Sequence, residues 1–296
     1  MSADTLSLVC VWTAIAIYVL AFLFYGVDLA KRSDETVSDL RTRTIHARIG
    51  TSLTVLGFLC HLAGALLRGL ASGRVAWSNL YEFAMTGTLL IVLVYLVCLI
   101  RIDLRFLGTF LTGLVVALLG LATAGFYVEV TPLAEPLKSV WLVIHVLVAS
   151  LATAMFAIAA SLSVVQLLQA RREAAAHAAA NGRLARALRT VPSSERLESL
   201  AYRCTTYGFV LWTFTLIAGA IWAHSAWTRY WGFDVKETWT FIIWVVYAGY
   251  IHARSTRGWR GARSSWLSII GFTAVLFNFT VVNIFFKGLH AYSGIS

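Results

Sequence analysis

Eight apolar runs, each long enough to cross a bilayer, divide this 296-residue chain: 7–29, 50–70, 80–100, 104–126, 139–167, 204–223, 236–254 and 264–287. A spanning helix needs about 20 apolar residues to cross a hydrocarbon layer of roughly 30 Å. Lipid offers no partner for backbone N–H and C=O groups, so each run must satisfy its own as a helix. The expected fold is therefore an all-α polytopic membrane bundle of about eight transmembrane helices. With 59% of residues apolar and 13% charged, the composition lies far outside that of a soluble domain. The segments between runs are too short for a soluble catalytic domain, which puts any chemistry in the membrane or at its rim.

The first run has no basic segment ahead of it and is followed by KRSDETVSDLRTRTIHAR, not by a small-residue cleavage site, so it reads as a retained span. Lys and Arg concentrate on the cytoplasmic side of membrane proteins. Here 18 of the 24 basic residues fall in four segments: 31–48, 101–105, 171–203 and 254–263. Assigning these to the cytoplasm leaves both termini, and the segment around 222–244, on the extracytoplasmic side. The cytoplasmic loop 168–203, rich in Ala, Arg and Leu with Pro192 inside it, is expected to form two short amphipathic helices. Topology also explains the formal charge of +10, so no nucleic-acid partner is expected. Cys10, Cys60, Cys98 and Cys204 have no CxxC or zinc-type spacing, which argues against thiol-redox chemistry by this chain.

Five of the eleven tryptophans, Trp222, Trp227, Trp231, Trp239 and Trp244, fall within 23 residues. Interfacial anchoring accounts for one or two of them. The last four, flanked by His224 and His252, have the parts to hold a large, flat, anionic, metal-bearing ligand such as haem, stacked on aromatic faces with its iron on axial imidazoles. Asp234 and Glu237 form a capping-box pattern for the seventh span, as do Asn79 and Glu82 for the third. Arg229 and Lys236 are available as counter-charges for propionates.

A histidine inside a span is costly and is read first as functional. At about 1.5 Å per residue, His145 lies roughly 9 Å below the outer end of its span, and His290 follows the last span on the same side. His252 lies roughly 24 Å down the seventh span, too deep to share an iron with His290. Two aromatic stripes accompany them: Trp244, Ala248 and His252, and, if the last helix continues that far, Phe279, Asn283, Phe286 and His290. Each imidazole could equally donate to a carbonyl of a neighbouring helix. His61, with Gly64 and Ala65 on its face, fits helix packing; His224 lies near the outer surface.

The segment WTRYWGFDVKETWTFIIWVVYAGYIHAR resembles the tryptophan-rich WWD signature of the CcsA/ResC family, the haem-handling membrane subunits of system II cytochrome c synthases. RVAWSNLYEF at 74–83, WLVIHVLVASLATAMFAIAA at 141–160 and GFTAVLFNFTVVNIFFKGLHAYSG at 271–294 resemble further family motifs, in order. The resemblance divides the chain into residues 1–49, a first helix with its cytoplasmic loop, and 50–296, the haem-handling bundle with the WWD segment at 222–244. It implies haem b as cofactor, His145 and His290 as outer axial ligands, and His252 as ligand of a haem in transit. Trp227, Trp231, Asp234 and Trp239 are implied to belong to the haem-contacting segment. Phe233 stands where the family usually has Trp, and Val235 where it usually has Pro. The implied activity is a haem lyase one, covalent attachment of haem to the CxxCH motif of apocytochrome c. A ResB-type membrane subunit would be the partner and would supply the second ligand opposite His252; a thioredoxin-like reductase is a further partner, and membrane lipid surrounds the chain. The competing readings are a haem exporter or chaperone without ligation activity and a b-type electron-transfer cytochrome, which would need histidines paired at matched depth.

Overall fold

The computed structural model describes residues 1–31, 40–131, 138–175, 188, 190–286, 288 and 289, with the side chains of 40–44 outside that description. Every regular element among these residues is helical: α1 (Ala3–Lys31), α2 (Leu40–Ser72), α3 (Leu80–Arg101), α4 (Gly108–Gly125), α5 (Val140–Ala175), α6 (Ser194–Trp227), α7 (Val235–Thr256), α8 (Ala262–Phe279) and the short α9 (Val281–Phe285). Among the described residues, seven helices are long and apolar enough to cross a membrane. The eighth expected span is α7, whose 22 residues reach about 33 Å but whose apolarity is diluted by Lys236, Glu237, His252, Arg254 and four aromatic residues with polar ring atoms. The protein is an all-α, multi-pass membrane protein.

Small residues set the closest helix contact. On α2, Gly50, Gly57 and Gly64 recur every seven residues and meet Tyr25, Tyr18 and Val11, which recur every seven residues on α1. A Cβ at Gly57 would stand 2.7 Å from the Tyr18 ring, and one at Gly64 would stand 2.9 Å from Val11. Glycine here lets two antiparallel backbones approach closely enough for dense packing, which lipid-embedded helices depend on in place of a hydrophobic drive. Ser7 Oγ adds a hydrogen bond to the Gly64 carbonyl at 2.7 Å. On the same pair, His61 is fully buried and lies edge-on to the Tyr18 ring, as the small-residue packing around it suggests.

Helix α5 forms the hub, packing against α3, α6 and α8; Ala152, Ala154, Phe156, Ala157, Ile158 and Ala159 on it are completely buried. Phe156 stacks on Tyr247 of α7 at 3.7 Å between ring centres. Trp212 Nε1 and Trp244 Nε1 donate to the Thr240 carbonyl and Thr213 Oγ1, at 3.1 and 2.9 Å, tying α6 to α7.

The structure corrects three expectations. The loop at 168–203 is shorter than expected, since residues up to Ala175 continue α5 and those from Ser194 belong to α6; the two short amphipathic helices expected within it fall mainly on residues outside the description. Ser194 of α6 is held to Glu173 of α5, with its N–H donating at 3.1 Å and its hydroxyl at 2.5 Å; residues 176–187 lie outside the description. The last helix does not run on to residue 290. It breaks at Thr280 and ends at Phe285, and Phe286 is extended (φ −106°, ψ 118°), so Phe286 leaves the proposed stripe. His290 and Lys287 lie outside the described residues. The third correction concerns Glu82, whose carboxylate is not spent on a capping box.

Candidate functional site

At the tryptophan-rich end of the bundle, α3, α5, α6, α7, α8 and α9 surround a cavity whose lining includes Trp77, His145, Trp222, Lys236, Phe279 and Asn283. His145 is placed there by α5. Its Nδ1 lies 2.9 Å from the Thr215 carbonyl oxygen of α6. A carbonyl can only accept, so Nδ1 carries the proton, and Nε2 is the ring nitrogen that a neutral imidazole would offer to a metal. Metal-bound histidines are usually oriented in this way, by donating the other ring nitrogen to a carbonyl. The imidazole stacks on Trp222 at 5.9 Å with 23° between planes, and Trp227 packs edge-on against Trp222 at 4.9 Å. The helix-to-carbonyl bond that competes with ligation on sequence grounds is therefore present, in the form that leaves ligation open.

Among the described residues, Lys236 is the lysine that lines the cavity. Its Nζ donates to Asn283 Oδ1 at 2.7 Å, which ties the first turn of α7 to α9. Arg229 does not line the cavity; its guanidinium lies over Gly232, leaving no room for a Cβ there. Asp234 caps α7, and Glu237 Oε2 accepts from the N–H groups of Gly232 and Asp234 at 2.8 and 3.1 Å, as the capping-box pattern predicts. The tail passes close over this cap, since a Cβ at Gly288 would lie 2.1 Å from Asp234 Oδ1.

Between α6 and α7 the backbone is strained at two positions. Thr228 (φ 58°) and Phe233 (φ 57°) occupy the left-handed region, which is rare for β-branched and bulky residues and marks segments held by their surroundings. Phe233, one of the two residues that depart from the signature, is 81% exposed.

The remaining predicted site residues are dispersed around this cavity. Trp231 packs edge-on to Phe233 and Phe241, and Trp239 packs on Phe277 at 4.5 Å. His224 is exposed and stacks on Tyr230 at 4.4 Å. His252 is exposed near the far end of α7, about 25 Å along the helix from Val235, on an outward face with Phe241 and Val245. His145 and His252 thus belong to opposite ends of the bundle.

One arrangement escaped the sequence reading. Arg68, fully buried, donates Nε to Glu82 Oε1 (2.9 Å), Nη1 to Asp4 Oδ1 (2.6 Å) and Nη2 to the Val128 carbonyl (2.6 Å). Glu82, also fully buried, accepts from Arg74 Nη1 at 2.7 Å and from the Ser78 N–H and hydroxyl at 3.0 and 2.9 Å. Asn79 Oδ1 still caps α3 by accepting from Glu82 N–H at 2.8 Å. Tyr127 donates to Asp4 Oδ2 at 2.6 Å; burial, then this carboxylate, raises its phenol pKa above the ordinary value. The network joins α1, α2, α3 and the segment after α4 beside the cavity wall that carries Trp77. Its only sequence signal is the presence of Asp4, Arg68, Arg74 and Glu82 at span ends that antiparallel packing brings together.

The chain matches the family described as "Cytochrome C assembly protein" over residues 77–290. It is similar to the "Cytochrome c biogenesis protein CcsA" of Guillardia theta, with 34% identity over 258 residues covering 82% of this chain and 85% of the relative. Its identity to the protein of the same name from Prochlorococcus marinus is 35% over 249 residues, 77% and 78% of the two chains. Among solved structures it resembles "Cytochrome c Heme Lyase CcmF", with a TM-score of 0.67, 18% identity and 94% of this chain covered. It spans about half the length of that lyase, 47%, and the likeness is one of fold.

Proposed function

The chain belongs to the cytochrome c assembly protein family, alongside the CcsA proteins, and from that premise we propose that it presents haem for covalent attachment to apocytochrome c. A role in cytochrome c biogenesis follows from the family. The finer reading is that haem b is cargo at the tryptophan-rich end, which faces the extracytoplasmic side of a bacterial plasma membrane.

One observation carries this reading: His145, held to the Thr215 carbonyl through Nδ1 and stacked on Trp222, shares one cavity with Lys236. The donor set suits the group. It combines an imidazole oriented through Nδ1, aromatic walls and a cation suited to a propionate. The indole of Trp222 fixes the plane of the imidazole, and Lys236, tied to Asn283, would orient the carboxylate edge. His290 would complete the axial pair. Haem supplies two vinyl groups; each cysteine thiol of CxxCH adds across one, forming a C–S bond with the thiol hydrogen going to the neighbouring carbon. No cysteine of this chain takes part. Trp227, Trp231, Asp234 and Trp239 would form the surrounding haem-contacting segment.

His252 would hold a second haem at the opposite end, with the other ligand supplied by a ResB-type subunit against the outward face of α7. The exposure of His252 beside Phe241 and Val245 supports a ligand from outside the chain. A b-type cytochrome would instead need two histidines facing each other at one depth.

The test is haem content and spectrum of His145→Ala, His252→Ala and His290→Ala, with and without imidazole, together with thioether formation on a co-expressed CxxCH substrate. Loss restored by imidazole is expected at each position. Haem retained in all three variants with an unchanged spectrum would overturn the assignment. Haem binding without covalent product would favour an exporter or chaperone.

A further inference from the structure

The turn joining α7 to α8 at the arginine-rich end forms a concave pocket lined by Arg257, Gly258, Trp259, Arg260, Ala262 and Arg263. Two glycines in the left-handed region, Gly258 (φ 63°) and Gly261 (φ 68°), fold the backbone tightly enough for three arginines spaced three residues apart to line one concavity. Arg257, Arg260 and Arg263 are all exposed, and among the described residues none of them forms an ion pair. The carboxylate that reaches this turn, Glu198, is already engaged: Oε1 accepts from Arg254 Nη1 at 2.8 Å and Oε2 from Gly261 N–H at 2.9 Å. Arg254 is held further by the Tyr202 ring at 4.3 Å. The pocket therefore keeps a local charge of +3 without an internal counter-ion.

Height fixes the kind of anion. The helix before the turn is about 33 Å long, enough to cross the hydrocarbon layer, so Arg257, the first residue beyond it, stands at headgroup level. Trp259 is 38% exposed, as suits an amphipathic ring at the interface, and the Arg263 guanidinium lies 5.7 Å from its centre. Guanidinium groups bind phosphate in a fork, with directional donors, and basic pockets at membrane edges take anionic headgroups.

We propose that this turn is a binding site for the phosphate of an anionic phospholipid, held by Arg257, Arg260 and Arg263 with Trp259 against the acyl–headgroup boundary. The site is separate from the haem cavity around His145; because Arg257 follows His252 by five residues, lipid retention and haem content are read side by side so that failure of one reading is distinguishable from failure of the other.

The full chain, purified in detergent and reconstituted into nanodiscs of phosphatidylcholine containing a minority of phosphatidylglycerol, tests this by native mass spectrometry of retained lipid. Wild type is expected to retain phosphatidylglycerol in preference to phosphatidylcholine. Each single Arg→Gln change should weaken retention by about fivefold, and the triple change by about a hundredfold. The triple Arg→Lys variant keeps part of the preference, because it retains charge without the fork. Acyl-brominated phosphatidylglycerol should quench a component of fluorescence that is missing in Trp259→Phe. Equal retention of the two lipids by wild type, or an unchanged preference in the three single variants, would overturn the proposal. So would displacement of the lipid by inorganic phosphate at matched concentration, which would identify a free anion as the ligand. Haem content is expected to stay unchanged in every variant.

Discussion

Gly219 of α6 lies directly beneath the His145 imidazole: a Cβ there would stand 2.8 Å from both Cε1 and Nδ1 of the ring. Thr215, one turn earlier on the same helix, receives the Nδ1 proton. The orientation of the candidate ligand is thus set by two positions on a neighbouring helix, one that attracts the ring and one that makes room for it.

Enlarging that floor should disturb the ligand before it disturbs the fold. Gly219→Val is expected to lose haem and to cost about 2 kcal/mol through overpacking, with added imidazole restoring the spectrum. Gly271→Ala, which crowds Tyr247 at 2.7 Å, a pair that does not touch the His145 ring, serves as the control. It should lower thermal stability while leaving haem content intact.

If Lys236 pairs with a propionate, its loss should depend on the charge of the ligand. Lys236→Met is expected to weaken haem binding about tenfold, the scale of one charge-assisted hydrogen bond. Binding of haem dimethyl ester should hardly change. Equal weakening for both compounds in a titration would assign Lys236 to structure alone, through Asn283.

The buried network around Arg68 predicts a large stability effect outside the cavity. Glu82→Gln keeps the shape but removes the negative charge between Arg68 and Arg74, and is expected to cost about 3 kcal/mol, read as a lowered unfolding temperature in detergent. Replacing Arg68 with Met should be equally severe, because it takes one of two cations from the completely buried Glu82 and the guanidinium from Asp4.

Thr228 closes α6 in the left-handed region, at a cost of about 1 kcal/mol for a residue with a Cβ. Thr228→Gly should therefore stabilise the isolated chain by about that amount. If the strain holds the tryptophan segment in position, the same variant should also attach less haem to a co-expressed substrate.

Sequence periodicity alone determined the helices, because eight apolar runs in a solvent that cannot satisfy backbone polar groups permit little else. The capping box at Asp234 and Glu237 was equally legible, being a contact between near neighbours in the chain. So was the unusual cost of histidines within spans, which singled out His145 and His252. The tertiary structure decided what no local pattern encodes: that Thr215 and Gly219 orient His145, that Lys236 reaches the cavity while Arg229 does not, and that Glu82 serves Arg68 as well as its own helix end. It also showed that the tryptophans, adjacent in sequence, divide between the cavity edge and the outer face. These relationships join residues tens of positions apart, and they exist only where helix packing, governed by small residues such as Gly57 and Gly219, has fixed which faces meet.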